Sequence, residues 1–143
     1  MKKTVRLLAI VLSILMVALL FVACANKVAR EGLWKDATYT SDKTFGKGAT
    51  TITLVVTAGD ESVTFTVKTD KETVGAALVE AGLIEGEDST YGMMVTKVNG
   101  IAADWEVDQS YWAFYIGSDY AMTGVDSTPV VADTQYGFTY TKG

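Results

Sequence analysis

Two runs of alternating apolar and polar residues stand out between positions 50 and 67. A period of two is typical of half-buried strands, and turn-forming residues at positions 58–61 separate the two runs. We therefore predict a hairpin with one apolar face, formed by Ile52, Leu54, Val56, Val63, Phe65 and Val67. A preceding edge strand is predicted at Trp34–Thr40, ended by the glycines at 46 and 48.

The period changes to that of a helix after residue 69. Thr69 and Glu72 have the spacing of a capping box, and Gly82 is expected at the C-terminal cap. Gly75 is unfavourable inside a helix, so its presence predicts close packing on the sheet. The helix is expected to have about three turns, with an apolar stripe formed by Val74, Ala77, Leu78 and Ala81.

The second half of the chain reads mostly as strands. Leu83–Thr90 is predicted to be an acidic loop, and Ala103–Ser110 a polar one. Asn99-Gly100 is the strongest short-range hairpin signal, because a type I′ turn needs positive φ at both central residues. The fold class is therefore α+β: a small antiparallel sheet with one helix on one face. The strands expected here are Met93–Val98, Ile101–Ala102, Tyr111–Ile116, Tyr120–Met122 and Gln135–Thr141.

The first 24 residues have the pattern of an export signal. A short basic segment precedes the apolar stretch Leu7–Val22, which ends at Ala23-Cys24. We predict a lipoprotein signal peptide at 1–23, lipidation of Cys24, a tether at 24–33 and a domain at 34–143. The alternative is an uncleaved anchor, although the stretch is shorter than the ~20 residues of a spanning helix. Either alternative places the domain outside the cytoplasm, on the cell membrane.

Composition excludes several functions. The chain has no histidine and one cysteine, so it lacks the commonest general base and any internal disulfide. We expect no enzyme and no cofactor. Residues 24–143 carry 9 basic and 17 acidic residues, a formal charge of −8, which argues against a nucleic-acid partner. The predicted membrane partner is therefore reached through the lipid on Cys24 and not through the protein surface.

Three acids at a spacing of two, Asp104, Glu106 and Asp108, resemble the start of a calcium loop. The sixth position is Gln109 where such a loop needs glycine, and the twelfth is Tyr115 where it needs glutamate. The pattern favours a solvated acidic segment, and no metal site is predicted.

Aromatic residues and methionines concentrate between positions 91 and 122. Strand alternation sends Trp112 and Phe114 to one face, which we expect to be the core. The opposite face and the loops are left for ligands, because tyrosine combines a flat apolar body with a polar tip. The candidate ligand-binding residues are Tyr91, Gly92, Met93, Tyr111, Tyr115 and Tyr120.

Four segments in this order carry a resemblance to a known family: 91–100, 111–115, Gly124-Val125-Asp126 and 136–140. Together they resemble the C-terminal β domain of the transcobalamin and intrinsic-factor family, over a core of residues 50–141. The chain is most similar to small bacterial lipoproteins that carry this domain alone. The resemblance implies a β-grasp-like domain.

In that family a helical domain and this β domain close around cobalamin, so the chain resembles one wall of the site. The resemblance implies a membrane-tethered protein that captures a small molecule, with cobalamin or another corrinoid as the candidate ligand. A second binding protein or a second copy of the chain would complete the site, and an uptake transporter is the expected receiver of the ligand. The alternatives are a protein-interaction module and a purely structural surface protein.

Overall fold

Nine strands in two sheets dominate residues 32–143, the part of the chain that the computed structural model describes. Two α-helices, α1 (Val74–Glu80) and α2 (Trp105–Asp108), and two 3₁₀ helices, Gly32–Asp36 and Val125–Ser127, connect them. These residues form one compact unit with its own core, so we expect them to fold independently. The strands are β1 (Lys43–Phe45), β2 (Thr50–Ala58), β3 (Glu61–Thr69), β4 (Ile84–Ser89), β5 (Gly92–Val98), β6 (Ile101–Ala102), β7 (Ser110–Ile116), β8 (Asp119–Tyr120) and β9 (Gln135–Lys142).

The larger sheet has the order β1-β3-β2-β9-β7-β8, and the smaller one β4-β5-β6. The predicted β2–β3 hairpin is confirmed along its whole length, and so is the α+β class. The expectation of a single antiparallel sheet is wrong in two respects. There is a second sheet, and β1 on β3 and β9 on β2 pair in parallel. β9 can pair with β2 in parallel because a long connection, and not a tight turn, brings it back to β2.

The helix begins later than the capping-box pattern predicts. The Thr69 hydroxyl accepts from the Lys71 amide at 3.0 Å, while Thr73 is the true N-cap and accepts from the Ala76 amide at 3.3 Å. The Glu72 carbonyl instead accepts from the Val130 amide at 2.8 Å. This tertiary pairing keeps Glu72 out of the helix, which therefore has about two turns.

Two glycine predictions for this helix have different outcomes. Gly82 follows the C-cap residue Ala81 with φ +71°, so the predicted glycine stop is confirmed. Gly75 does pack closely, but against the second 3₁₀ helix and not against the sheet. A Cβ on Gly75 would overlap the Asp126 carboxylate and lie 3.2 Å from the Val125 side chain.

The predicted first strand at Trp34–Thr40 is wrong. The segment starts with the 3₁₀ helix Gly32–Asp36, in which Trp34 is buried and its indole Nε1 donates to the Ala58 carbonyl at 2.8 Å. A buried indole needs such an acceptor, and the ring reaches it by turning into the core. Leu33, the end of the predicted tether, lies in this helix. The signal peptide, Cys24 and the tether residues up to position 31 lie outside the described residues.

The predicted acidic loop at Leu83–Thr90 is also wrong, because β4 occupies most of it. Ile84 is buried and the rest of β4 is exposed. Acidic residues and glycine are depleted in strands, which explains the error. On an edge strand the same charges protect the open side from pairing with other chains. None of the helices within residues 32–143 is long and apolar enough to cross a membrane.

The Asn99-Gly100 turn is confirmed, with φ of 50° and 80° at its two residues. The Asn99 side chain is buried. Its Oδ1 accepts from the Tyr39 amide at 2.9 Å, and its Nδ2 donates to the Tyr39 carbonyl at 2.8 Å. The Asn99 side-chain amide therefore makes the two backbone hydrogen bonds to Tyr39 that a neighbouring strand would otherwise provide.

Replacing Asn99 with glycine should lower the free energy of unfolding by about 1–2 kcal/mol. Glycine tolerates the positive φ, so the loss reports the two hydrogen bonds to Tyr39. Asn99→Asp should be worse at neutral pH, because a carboxylate would face the Tyr39 carbonyl without a proton to donate. Urea denaturation checks both variants. Equal stability of Asn99→Gly and the unmodified chain would show that the two hydrogen bonds to Tyr39 do not stabilise the fold.

Candidate functional site

Three of the predicted site residues lie at the turn between β4 and β5. Tyr91, Gly92 and Met93 are held there by Asp126, whose Oδ2 accepts from the Met93 amide at 2.8 Å. Asp126 belongs to the second 3₁₀ helix, and the Tyr91 carbonyl oxygen lies 3.8 Å from where a Cβ on Gly124 would be. The turn is thus fixed against the segment 121–126.

Tyr115 and Tyr120 pair in the β7–β8 hairpin, which leads into the same segment. Their rings meet edge to face, with 5.6 Å between centroids, across the β7–β8 hairpin. The chain then continues directly into 121–126, with the Ala121 amide donating to the Phe114 carbonyl at 2.9 Å. Trp112 and Phe114, on the opposite face of β7, are buried as predicted.

Segment 121–126 therefore links the β7–β8 hairpin to the turn between β4 and β5. We call Tyr91, Tyr115, Tyr120 and Met122 the tip surface. Tyr91 and Met122 are each 92% exposed and Tyr120 is 56% exposed. Exposed apolar side chains that form a patch are typical of interaction sites. They offer a ligand flat apolar contact together with phenolic hydroxyls.

The sixth predicted residue, Tyr111, lies apart from the tip surface. Its ring packs edge-on against Trp105, with 6.0 Å between centroids. Trp105 in turn borders an open groove of about 690 Å³ beside the smaller sheet. We call this space the Trp105 groove. Its lining residues are Glu87, Met94, Thr96, Lys97, Ala102, Ala103, Asp104, Trp105 and Glu106.

A β-bulge in β5 determines which side chains form one wall of the Trp105 groove. Glu85 is opposite Lys97 in β5, but the next residue, Gly86, is opposite Val95, which leaves Thr96 as the extra residue. A bulge changes which residues share a face. Met94 and Lys97 consequently both line the groove, while Val95 packs on the core and Val98 is fully buried.

The short helix α2 positions Trp105 on the other wall. The Asp104 carboxylate caps this helix, accepting from the Glu106 amide at 2.9 Å and the Val107 amide at 3.3 Å. The hydroxyl of Ser110 donates to Asp108 and thereby lowers the pKa of that carboxyl group, with smaller contributions from its backbone amide and Lys142. Two carboxylates of the calcium-like pattern thus serve local hydrogen bonds. No group of three or more metal-ligating side chains occurs among the described residues.

The Trp105 groove is negatively charged. Its carboxylates are Glu87, Asp104 and Glu106, and its one lysine, Lys97, forms an ion pair with Glu85 at 3.3 Å. That pair leaves no unbalanced positive charge at the lining. Coulomb attraction therefore favours a cation in the groove over an anion.

Only part of these two surfaces could be predicted from the sequence. Met94 and Trp105 lie within positions 91–122, where aromatic residues and methionines concentrate, but no sequence pattern assigned them to a site. Trp105 stands alone in a polar segment, so no periodicity indicates its surroundings. Met94 lies between Met93 and Val95 in an apolar run, and the period of a strand alone does not reveal the bulge that follows.

No protein-family model matches the chain, and no curated protein matches it. Solved structures that share its fold include the following two. One is described as a "putative metal binding protein" from Ruminococcus gnavus ATCC 29149; it is 30% identical, with a TM-score of 0.62 over 66% of this chain and 98% of that chain. The other is haptocorrin in complex with Cbi, at 18% identity and a TM-score of 0.56, covering 68% of this chain and 26% of haptocorrin. The resemblance to the transcobalamin family is thus supported at the level of the fold.

Proposed function

We propose that this chain is a non-catalytic lipoprotein on the outer side of the membrane that binds a small organic ligand, a corrinoid, at the tip surface. The observation that carries this proposal is the exposure of Tyr91, Tyr120 and Met122 on two turns that segment 121–126 connects. The fold likeness to haptocorrin, solved in complex with Cbi, supports the choice of ligand.

The tip surface would cover one face of a corrin ring. Apolar contact with a flat macrocycle suits the side chains of Tyr91, Tyr120 and Met122. The tyrosines of the tip surface also supply hydroxyl groups. The chain has no histidine to coordinate cobalt, so contact and hydrogen bonding must provide the affinity. A ligand covered on one face stays partly in water, and we expect tight binding only when a second protein covers the other face.

The N-terminal sequence supports delivery at the membrane. Lipid on Cys24 would keep the domain within a short tether of the bilayer, where an uptake transporter could receive the ligand. If Cys24 is the anchor, Cys24→Ser should move the protein from the membrane fraction to the soluble one.

Calorimetric titration of residues 25–143 with cobalamin and cobinamide tests the proposed ligand. We expect saturable one-to-one binding that Tyr91→Ala and Tyr120→Ala each weaken about tenfold, the loss of one aromatic anchor. Tyr111→Ala is the matched control, because Tyr111 lies beside the Trp105 groove, and it should leave the affinity unchanged. Thermal unfolding should confirm that all three variants remain folded.

Absence of heat at high micromolar concentration would reject corrinoid binding by this domain alone. The same exposed side chains would then favour the alternative function, docking of another surface protein. In that case Tyr91→Ala and Tyr120→Ala should remove a specific partner that the unmodified chain retains from the membrane fraction.

A further inference from the structure

We infer that the Trp105 groove is a second binding site, separate from the tip surface, for a small organic cation with an apolar body. The groove is open and about 690 Å³ in volume, within the range of small-molecule sites. The inference concerns residues that the corrinoid proposal does not use, so each can fail without the other.

Two apolar side chains in the groove are available for contact. Met94 is 64% exposed and Trp105 is 54% exposed, and both lie on its lining. An exposed indole attracts organic cations through its ring quadrupole. Thr96, Ala102 and Ala103 are small, so the space between the two larger side chains stays open.

Charge selects the class of ligand. Three acidic residues line the groove, and none of them forms an ion pair among the described residues. The Asp104 carboxylate caps α2, so Glu87 and Glu106 are the two that can face a ligand. Lys97 is already neutralised by Glu85. A cation gains from both the carboxylates and the indole, whereas an anion is repelled and a neutral ligand gains only apolar contact.

Trp105 is held in place before any ligand arrives. Tyr111 packs against its ring, and a Cβ on Gly143 would lie 2.6 Å from the Trp105 Cη2 atom. The last residue is itself fixed, since the Gly143 amide donates to the Gln109 carbonyl at 2.8 Å. A ring packed on two sides loses little conformational freedom on binding.

Tryptophan fluorescence of residues 25–143 gives a selective readout, because the other two tryptophans, Trp34 and Trp112, are buried. The probe is benzyltrimethylammonium, with benzyl alcohol and benzenesulfonate as its neutral and anionic counterparts. We expect saturable quenching by the cation alone, with a dissociation constant on the order of 1 mM, because an exposed cation–π contact adds little to the apolar contact and the charge attraction of an open groove. Added salt should weaken it.

Carboxylate variants provide the second readout. Glu87→Gln and Glu106→Gln should each weaken cation binding about threefold. Asp60→Asn, at the β2–β3 turn and outside the groove lining, is the matched control and should leave cation binding unchanged. Tyr120→Ala should also leave cation binding intact, which separates this site from the tip surface.

Three results would overturn the inference. The first is equal quenching by benzyl alcohol or benzenesulfonate, because the groove would then lack charge selectivity. The second is unchanged affinity in both glutamate variants. The third is no saturable quenching by the cation at tens of millimolar.

Discussion

Trp34→Ala should lower the free energy of unfolding by about 3–5 kcal/mol, the usual cost of removing a buried aromatic side chain. The indole is 4% exposed and belongs to the main core cluster. Its loss would leave a cavity and would also leave the Ala58 carbonyl without the hydrogen bond from Nε1 at 2.8 Å. Urea denaturation of residues 25–143, monitored by far-ultraviolet circular dichroism, measures the change.

Two further variants separate the causes. Trp34→Phe keeps most of the apolar volume but removes the hydrogen-bond donor, so we expect an intermediate loss. Trp105→Ala removes an indole that is half exposed and should cost far less. If Trp34→Ala were no more destabilising than Trp105→Ala, the first 3₁₀ helix would not be part of the folded unit.

Residues with a regular pattern were predictable from sequence. Period-two alternation gave the β2–β3 hairpin and the burial of Trp112 and Phe114, because side chains of a strand with one covered face must alternate. The Asn99-Gly100 turn was predictable because few residue pairs accept two successive positive φ angles. These features depend on local geometry, so a local pattern is sufficient to reveal them.

Features that depend on distant partners were not predictable. Thr73 is the N-cap because residues 72–74 pair with the segment 128–130. No pattern in the neighbouring sequence indicates this pairing. Trp34 reads equally well as a strand residue until its acceptor on Ala58 is known. The tip surface was found in part, since its tyrosines are conspicuous, but its assembly depends on Asp126, 33 residues beyond Met93.

The bulge that shapes the Trp105 groove lies beside Gly86. Gly86→Ala should lower the free energy of unfolding and abolish the groove. A Cβ at this position would overlap the Met94 carbonyl oxygen and lie 2.8 Å from the Met93 Cγ atom. Backbone atoms of a paired strand have little room to move, so we expect a loss of about 3 kcal/mol. Thermal or urea unfolding measures it.

The clash can be relieved by moving β4 relative to β5, which would abolish the bulge. Without the extra residue Thr96, strict alternation would return Met94 and Lys97 to opposite faces, because a one-residue shift exchanges the two sides of a strand. Gly86→Ala should therefore abolish charge-selective quenching of Trp105 by benzyltrimethylammonium even under conditions in which the variant is still folded.

Gly124→Ala is the matched control for this variant. Gly124 has φ of −71°, which any residue adopts, and an added Cβ would lie 3.8 Å from its nearest neighbour. This change should alter the free energy of unfolding by no more than about 0.5 kcal/mol. If Gly86→Ala were equally mild and kept cation binding, the bulge would tolerate a side chain. The shared face of Met94 and Lys97 would then require another cause.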